Sequence, residues 1–494
     1  MRKHPHLFET HALIFLNRLR KKYRKPLTLL QIPAKEWEAL AAQGFDIVWL
    51  MGAWRRSPAS RDKAAAEPGL RQAYDKVMPG WKPQDVAGSP YAIYEYALDP
   101  ALGAEGDLAK LRRTLNRAGL KLCLDFVPNH FAMDHPWMAT HPEYFLTVPR
   151  ETAEKDSGTF FQAHGRYFAH GKDPHFAAWQ DTVQVNFFSA DFRKAALNEL
   201  QRIAGLADGV RCDMAMLALN RIFAETWKPA LANIHPPAGE FWPDIIRSVK
   251  QRNPDFFFMA EVYWNMEWEL QQQGFDFTYD KTLYDRLLHA PAPDVRSHLL
   301  AESAYQDKCA RFIENHDERR AADAFGLEKS LAAAAVTSTL PGLRFFHDGQ
   351  LEGRRLHIPI QLAAEAGEPA DKDAAAFYKK LLDFAADETL HTGRWQLLSA
   401  QPAWQGSNTH ANILTWVWDS ERGRRLIVIN YSAARSQARI RLPVQWLESR
   451  LIVLEDHAAG KRYERNEDEL KPTGLYIDLA PWQSHLFELR GRKR

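Results

Sequence analysis

Disulfide chemistry is nearly excluded by how little cysteine the chain has. Its 494 residues hold three, Cys123, Cys212 and Cys309, an odd number with no CxxC pair and no framework spacing. They read as reduced core residues, and a cytoplasmic setting is expected. Long apolar runs are missing too. The basic start, Met1 to Arg24, has no apolar stretch longer than Ala12 to Leu16. That is shorter than the ~7 to 15 residues of a signal-peptide core and far short of the ~20 that span a bilayer, so no membrane partner is expected. Charge of one sign is also lacking. The 64 Lys and Arg against 62 Asp and Glu leave a net +2, without a dominant basic run, which argues against nucleic acid. No HExxH, phosphate-binding GxxxxGKS/T or dinucleotide glycine fingerprint occurs, so no organic cofactor is expected. Internal repeats, low-complexity tracts and heptads are absent as well.

What is present is a globular composition, 46% hydrophobic and 26% charged, with enough apolar surface for a large core. Short runs rich in β-branched and aromatic residues alternate with helical patterns, the mark of βα units and a parallel sheet. The candidate strands are His11 to Asn17, Asp46 to Gly52, Lys121 to Val127, Gly209 to Met214, Phe256 to Val262, Phe275 to Asp280, Cys309 to Asn315 and Gly342 to Asp348. Eight such units close into a (β/α)8 TIM barrel, an α/β fold whose reactive groups are expected at the C-terminal ends of the strands. Gly52 to Tyr91 is an irregular excursion after the second strand. His130 to Asp181 looks like a subdomain inserted after the third. Beyond about Leu390 the apolar period changes from helical to alternating, as in Asn412 to Trp418, Arg424 to Tyr431, Arg450 to Asp456, Leu475 to Leu479 and His485 to Leu489. The expected division is therefore 1–130 and 182–390 for the barrel, 131–181 for the insertion and 391–494 for an antiparallel β-sandwich.

Acidic residues sit at or near four candidate strand ends: Asp125 in KLCLDFVPNH, Asp213 in GVRCDMAML, Glu261 in MAEVYW and Asp317 in FIENHD. A carboxylate within apolar strand sequence is costly unless paired or functional. Salt bridging inside the rim would explain any one of them, and Arg211, two residues before Asp213 and so on the same face of its strand, would supply a partner. Four on one rim ask for chemistry.

These segments resemble the four short motifs of the alpha-amylase family, glycoside hydrolase family 13, in the family's order: DFVPNH at Asp125 to His130, GVRCD at Gly209 to Asp213, AEVYW at Ala260 to Trp264 and ENHD at Glu314 to Asp317. Pro90-Tyr91 with Glu95-Tyr96, and Leu340-Pro341-Gly342 with Gly349-Gln350, are weaker matches of the same kind. The resemblance implies a retaining glycosidase acting on α-glucosidic bonds, with Asp213 as nucleophile, Glu261 as general acid/base and Asp317 as a third carboxylate holding sugar hydroxyls. It further implies Asp125 as a site residue, Arg211 as the partner of Asp213, His130 and His316 as sugar-contacting histidines and Tyr91 as a stacking platform. Retaining cleavage needs two carboxyl groups ~5 to 5.5 Å apart, which neighbouring strand ends can hold. The expected partner is an α-glucan or oligosaccharide. Two alternatives stand beside hydrolysis: glycosyl transfer by the same carboxylates, and a binding or scaffold member without catalysis. A Lys-His pair follows the nucleophile in many amylases; here Met214, Ala215, Met216 and Leu217 stand in its place. Asn129 matches a calcium ligand of the family, but with that pair replaced no metal is assigned.

Overall fold

In the computed structural model, which describes residues 1–231, 235–447 and 449–492, eight parallel strands close a barrel. The last two residues of the expected C-terminal domain lie outside the described residues. The strands are β1 (His6–His11), β2 (Ile47–Met51), β3 (Lys121–Phe126), β4 (Gly209–Cys212), β5 (Phe257–Ala260), β6 (Phe277–Tyr279), β7 (Cys309–Arg311) and β8 (Leu343–His347). Each pairs with its neighbours in sequence, and β1 closes the ring between β2 and β8, with Leu7 opposite Ile47 and Phe345. Every residue of β2, IVWLM, is buried, as a strand covered on both faces requires.

The first strand corrects the sequence reading. The apolar run Ala12 to Leu16 lies in helix α1 (Ala12–Tyr23), where Ala12, Leu13, Leu16 and Leu19 form a face packed on the barrel. His11 caps this helix by accepting the Ile14 amide at Nδ1, 3.3 Å away. The true strand, HLFETH, is buried throughout although four of its six residues are polar. Glu9 finds His316 inside the barrel, while His6 and Thr10, on the other face, find Arg344 and Asp348, and a hydrophobicity pattern cannot register such partners.

The excursion after β2 is more regular than expected. Trp54–Arg56 and Ile93–Leu98 pair antiparallel, and between them run helices Pro58–Ala66 and Pro68–Val77, each opened by a proline in its first turn. Their apolar faces are narrow: Ala64 and Tyr74 pack with Val86 and Leu362 in a small satellite core. The insertion after β3 is fastened at its base, where His130–Ala132 pairs with Thr182–Gln184. It carries a three-stranded antiparallel sheet of Thr147–Val148, Arg166–Ala169 and Phe160–Ala163.

From Arg394 onward the chain is antiparallel. A six-stranded sheet and a three-stranded sheet face each other across Val417, Leu426, Val428, Ile440, Leu454 and Ile477, forming a β-sandwich. The five strands read from alternation are all in it. Arg394–Leu397, Ala400–Pro402, Ser436–Ile440 and Lys461–Asn466 are additional. The sandwich docks on the barrel through Trp416 and Trp418, whose indole N–H groups both donate to the Thr339 carbonyl, at 3.2 and 2.7 Å.

Candidate active site

The C-terminal ends of the strands bring all eight expected residues together. Tyr91, His130, Asp213, Glu261 and Asp317 line a cavity of about 370 Å3. Asp125, Arg211 and His316 stand behind them and hold them. Asp213 follows β4 directly, its amide donating to the Phe126 carbonyl at 2.9 Å, and Glu261 follows β5, its amide donating to the Cys212 carbonyl at 3.0 Å. Ladder bonds thus continue one residue past each strand and fix both Cα positions.

Arg211 joins them. Its side chain is fully buried in β4; Nη1 donates to Asp213 Oδ1 at 2.7 Å, and Nη2 lies 2.8 Å from Glu261 Oε2. Two nitrogens of one rigid guanidinium therefore hold the two carboxyl groups side by side. Asp125 completes the cluster with Oδ1 3.6 Å from Nη1, while Trp49 Nε1 donates to its Oδ2 at 3.2 Å. The rings of Tyr91, Trp49 and Tyr279 lie 5.1, 5.3 and 5.9 Å from the guanidinium carbon. This aromatic cage stabilises a cation that no water reaches.

The environments separate the carboxyl groups. Burial pushes Glu261 up to about 7 against the pull of Arg211. Burial also raises Asp213, and the Arg211 charge and hydrogen bond oppose it. Asp125 is raised to about 6, again chiefly by burial. Asp317 goes the other way. The enclosing protein would raise it, but the charge and hydrogen bond of His316 bring it down to about 2, and its side chain, 44% exposed, faces the open cleft. One carboxyl that keeps its proton near neutrality beside others that ionise is the arrangement acid–base chemistry requires.

Residues beyond the eight expected ones complete the frame. Tyr263 donates its hydroxyl to Glu261 Oε1 at 2.8 Å, and the Met214 amide donates to Glu261 Oε2 at 2.6 Å. Met214 makes that bond from the left-handed region, with φ at 43°, a strained conformation for a residue with a side chain. From the insertion come Asp173, Trp179 and Asp181, and from the segment after β8 come Ile360 and Gln361. Trp179 lies 5.0 Å from the His130 ring. Burial lowers His130 to about 4, so it is a neutral wall of the cavity. Tyr91 stacks on His316 with ring centres 5.3 Å apart. Two carried a legible signal: Tyr263, inside AEVYW and two residues from Glu261, and Trp179, a flat ring in a loop-like segment of the kind that stacks on sugars.

Asn129, where the resemblance implies a calcium ligand, has its side-chain oxygen occupied: Gln184 Nε2 donates to it at 3.0 Å and to its main-chain carbonyl at 2.9 Å. Met214 to Leu217 offer no carboxylate, and among the described residues no three His, Cys, Asp or Glu side chains gather as metal ligands. Among the described residues no helix is long and apolar enough to cross a membrane.

Comparison with known proteins agrees with this geometry. An alpha-amylase 3 of Dictyoglomus thermophilum is 25% identical over 297 residues, covering 55% of this chain and 54% of that protein. An alpha-1,4-glucan:maltose-1-phosphate maltosyltransferase of Bifidobacterium longum is 26% identical over 231 residues, 46% of this chain and 25% of that one. The chain thus spans about half the length of the first of these curated relatives and a quarter of the second. A noncanonic maltogenic alpha-amylase from Thermotoga neapolitana superimposes with a TM-score of 0.69 at 18% identity, over 98% of both chains, and so shares the fold. The alpha-amylase catalytic domain profile matches residues 78–355, more than half of the sequence and the whole span from Tyr91 to Asp317, and with the barrel and its four motif-bearing strand ends this shows that the chain belongs to the alpha-amylase family.

Proposed function

We propose that this protein is a retaining α-glycosidase that cleaves α-glucosidic bonds in α-glucans or oligosaccharides by double displacement. The observation that carries the reading is the Arg211 fork, which sets Asp213 and Glu261 side by side on the wall of one cavity. In the first step an Asp213 oxygen attacks the anomeric carbon, the glycosidic C–O bond breaks, and Glu261 gives its proton to the departing oxygen. In the second, Glu261, now a carboxylate, takes a proton from water, the resulting oxygen attacks the same carbon, and Asp213 is released. Tyr263 and the Met214 amide keep Glu261 aimed through both steps. Asp317, ionised and facing the cleft, accepts hydrogen bonds from sugar hydroxyls, and these strengthen as positive charge develops on the ring. Tyr91 and His130 form the walls against which the ring packs. The three cysteines are buried and unpaired, which supports a reducing, cytoplasmic compartment.

Glycosyl transfer is the second reading, favoured by the maltosyltransferases among the relatives. It differs only in whether a sugar hydroxyl or water reaches the intermediate. A time course on maltooligosaccharides, followed by proton NMR, tests both. The α-anomer of the shortened product should form first, and early products longer than the substrate would select transfer. Initial release of the β-anomer, or no cleavage of any α-glucoside, would overturn the proposal.

A further inference from the structure

Behind the cavity, His316 is held from the far side by a carboxylate that the proposed mechanism does not use. Glu9 in β1 is fully buried, and its Oε1 lies 2.5 Å from His316 Nδ1. The other ring nitrogen, Nε2, faces the site, 2.7 Å from the Tyr91 hydroxyl and 3.0 Å from Asp317 Oδ2. Among the described residues Glu9 Oε2 has no hydrogen-bond partner. Its nearest cation candidate is His347 Nε2 in β8, 4.0 Å away. His347 is engaged on its other side, with Nδ1 2.6 Å from Arg320 Nη1 and 3.3 Å from Glu314 Oε1.

The other charged groups around His316 have partners of their own. From β4, Arg211 is shared by Asp213, Glu261 and Asp125 of β3; beyond β7, Glu314 pairs with Arg320 at 3.1 Å. On β1, burial lowers His11 to about 3, so it is neutral. His357 lies 2.8 Å from the His316 carbonyl, not its ring, and burial lowers it too. Among the described residues His316, at 2.5 Å against 4.0 Å for His347, is the nearer partner to balance Glu9, and an imidazolium is the one form in which both ring nitrogens donate, one to each carboxylate.

We propose that Glu9 is a positioning residue that keeps His316 charged and its Nε2–H directed into the site, and so keeps Asp317 ionised and placed to receive the substrate. The arrangement is that of a buried carboxylate fixing the ring of a working histidine. Both burial and charge are needed: an isolated buried anion would be expelled or protonated, and the histidine satisfies it. The inference rests on the proposed function for its kinetic consequence, not for the charge state itself.

The test compares wild type with Glu9→Gln, which keeps the shape and an acceptor but removes the charge. The ring signals of His316 are followed by NMR on histidine-labelled protein and assigned with a His316→Asn variant. In wild type His316 should titrate well above the ordinary histidine value, held up by the Asp317 and Glu9 carboxylates. In Glu9→Gln it should titrate near or below the ordinary histidine value of ~6.5. In parallel, kcat/KM is measured on an α-glycosyl fluoride, whose leaving group needs little help from Glu261. It should stay within ~2-fold from pH 6 to 8.5 in wild type and fall ~10-fold or more over that range in Glu9→Gln, following the lost proton. Glu9→Asp, which restores the charge, should restore the shape of the profile. Identical His316 titrations in the two proteins would overturn the proposal, and so would a loss equal at every pH. If no glycosyl fluoride is cleaved even by wild type, the glycosidase reading fails, while the NMR titration still decides the role of Glu9.

Discussion

Arg211 illustrates how one side chain can divide the work of two acids. It is bonded to both Asp213 and Glu261, yet the balance it strikes differs between them. Glu261 is held at about 7 by burial, while Asp213 receives the shorter contact and its own hydrogen bond from Nη1. The sign of the consequence follows directly. A general acid must carry its proton, so on a natural α-glucoside kcat/KM should fall ~10-fold per pH unit above about 7. On an α-glycosyl fluoride the same limb should be absent, because fluoride departs without a proton. Profiles of the two substrates measured from pH 5 to 9 decide this. A shared limb near 7, or none on either substrate, would assign the titration to another group. Residues such as Asp213, Glu261, Asp317 and Arg211 were legible because each lies in a short motif at a strand end. Met214 acts through its backbone, and no side-chain pattern announces that.

At the scale of elements, seven of the eight barrel strands stood out as apolar runs because both of their faces are covered, and the miss at β1 had a single cause. Of its six residues only Leu7 and Phe8 are apolar, and His6, Glu9 and Thr10 are buried against Arg344, His316 and Asp348 rather than exposed. The neighbouring Ala12 to Leu16 looked like the better strand and is the buried face of α1. That displacement also hid Glu9, which only the true register places inside the barrel. The helices Pro58–Ala66 and Pro68–Val77 escaped for a different reason. They rest on a satellite core of four fully buried residues, so their apolar periodicity is weak. In the insertion, strands of two to four residues are too short to show a period at all. Gly171 there has a legible role only in three dimensions: a Cβ would come within 2.9 Å of His130, so the chain can cross behind that ring only as glycine.

For the whole molecule, the seam between barrel and sandwich is where acid meets three buried histidines at once. His4, His6 and His391 are buried there around Arg344, whose Nη1 lies 3.1 Å from His6 Nε2 and whose Nη2 donates to the Leu390 carbonyl at 2.6 Å. His391 Nδ1 is 2.7 Å from the His4 carbonyl, and the His4 ring packs edge-on to Trp418. Burial first, and the Arg344 charge second, push His4 and His391 down to about 2 and His6 well below its ordinary value. The folded state keeps these rings neutral while the unfolded chain binds protons below ~6.5. Stability is therefore complete above that pH and declines as pH falls toward 2, by ~1.4 kcal/mol per unit for each ring. Thermal melts should show a marked fall in Tm between pH 7 and 5, and His391→Asn should flatten that slope whatever it does to the value at pH 7. A Tm unchanged over this interval would contradict the account.

The central claim is that Asp213 attacks and Glu261 supplies and retrieves the proton. It is tested most directly by trapping the intermediate. In Glu261→Gln the proton for a poor leaving group is gone, so cleavage of natural α-glucosides should nearly cease, whereas an α-glycosyl fluoride should still react at a comparatively fast first step. The base that would activate water is gone as well, so the glycosyl-enzyme should accumulate. Mass spectrometry of the digested variant should then find one added glycosyl group on the peptide that contains Asp213. A label on another carboxylate, or equal loss of activity on fluoride and natural substrates with no adduct, would contradict the assignment.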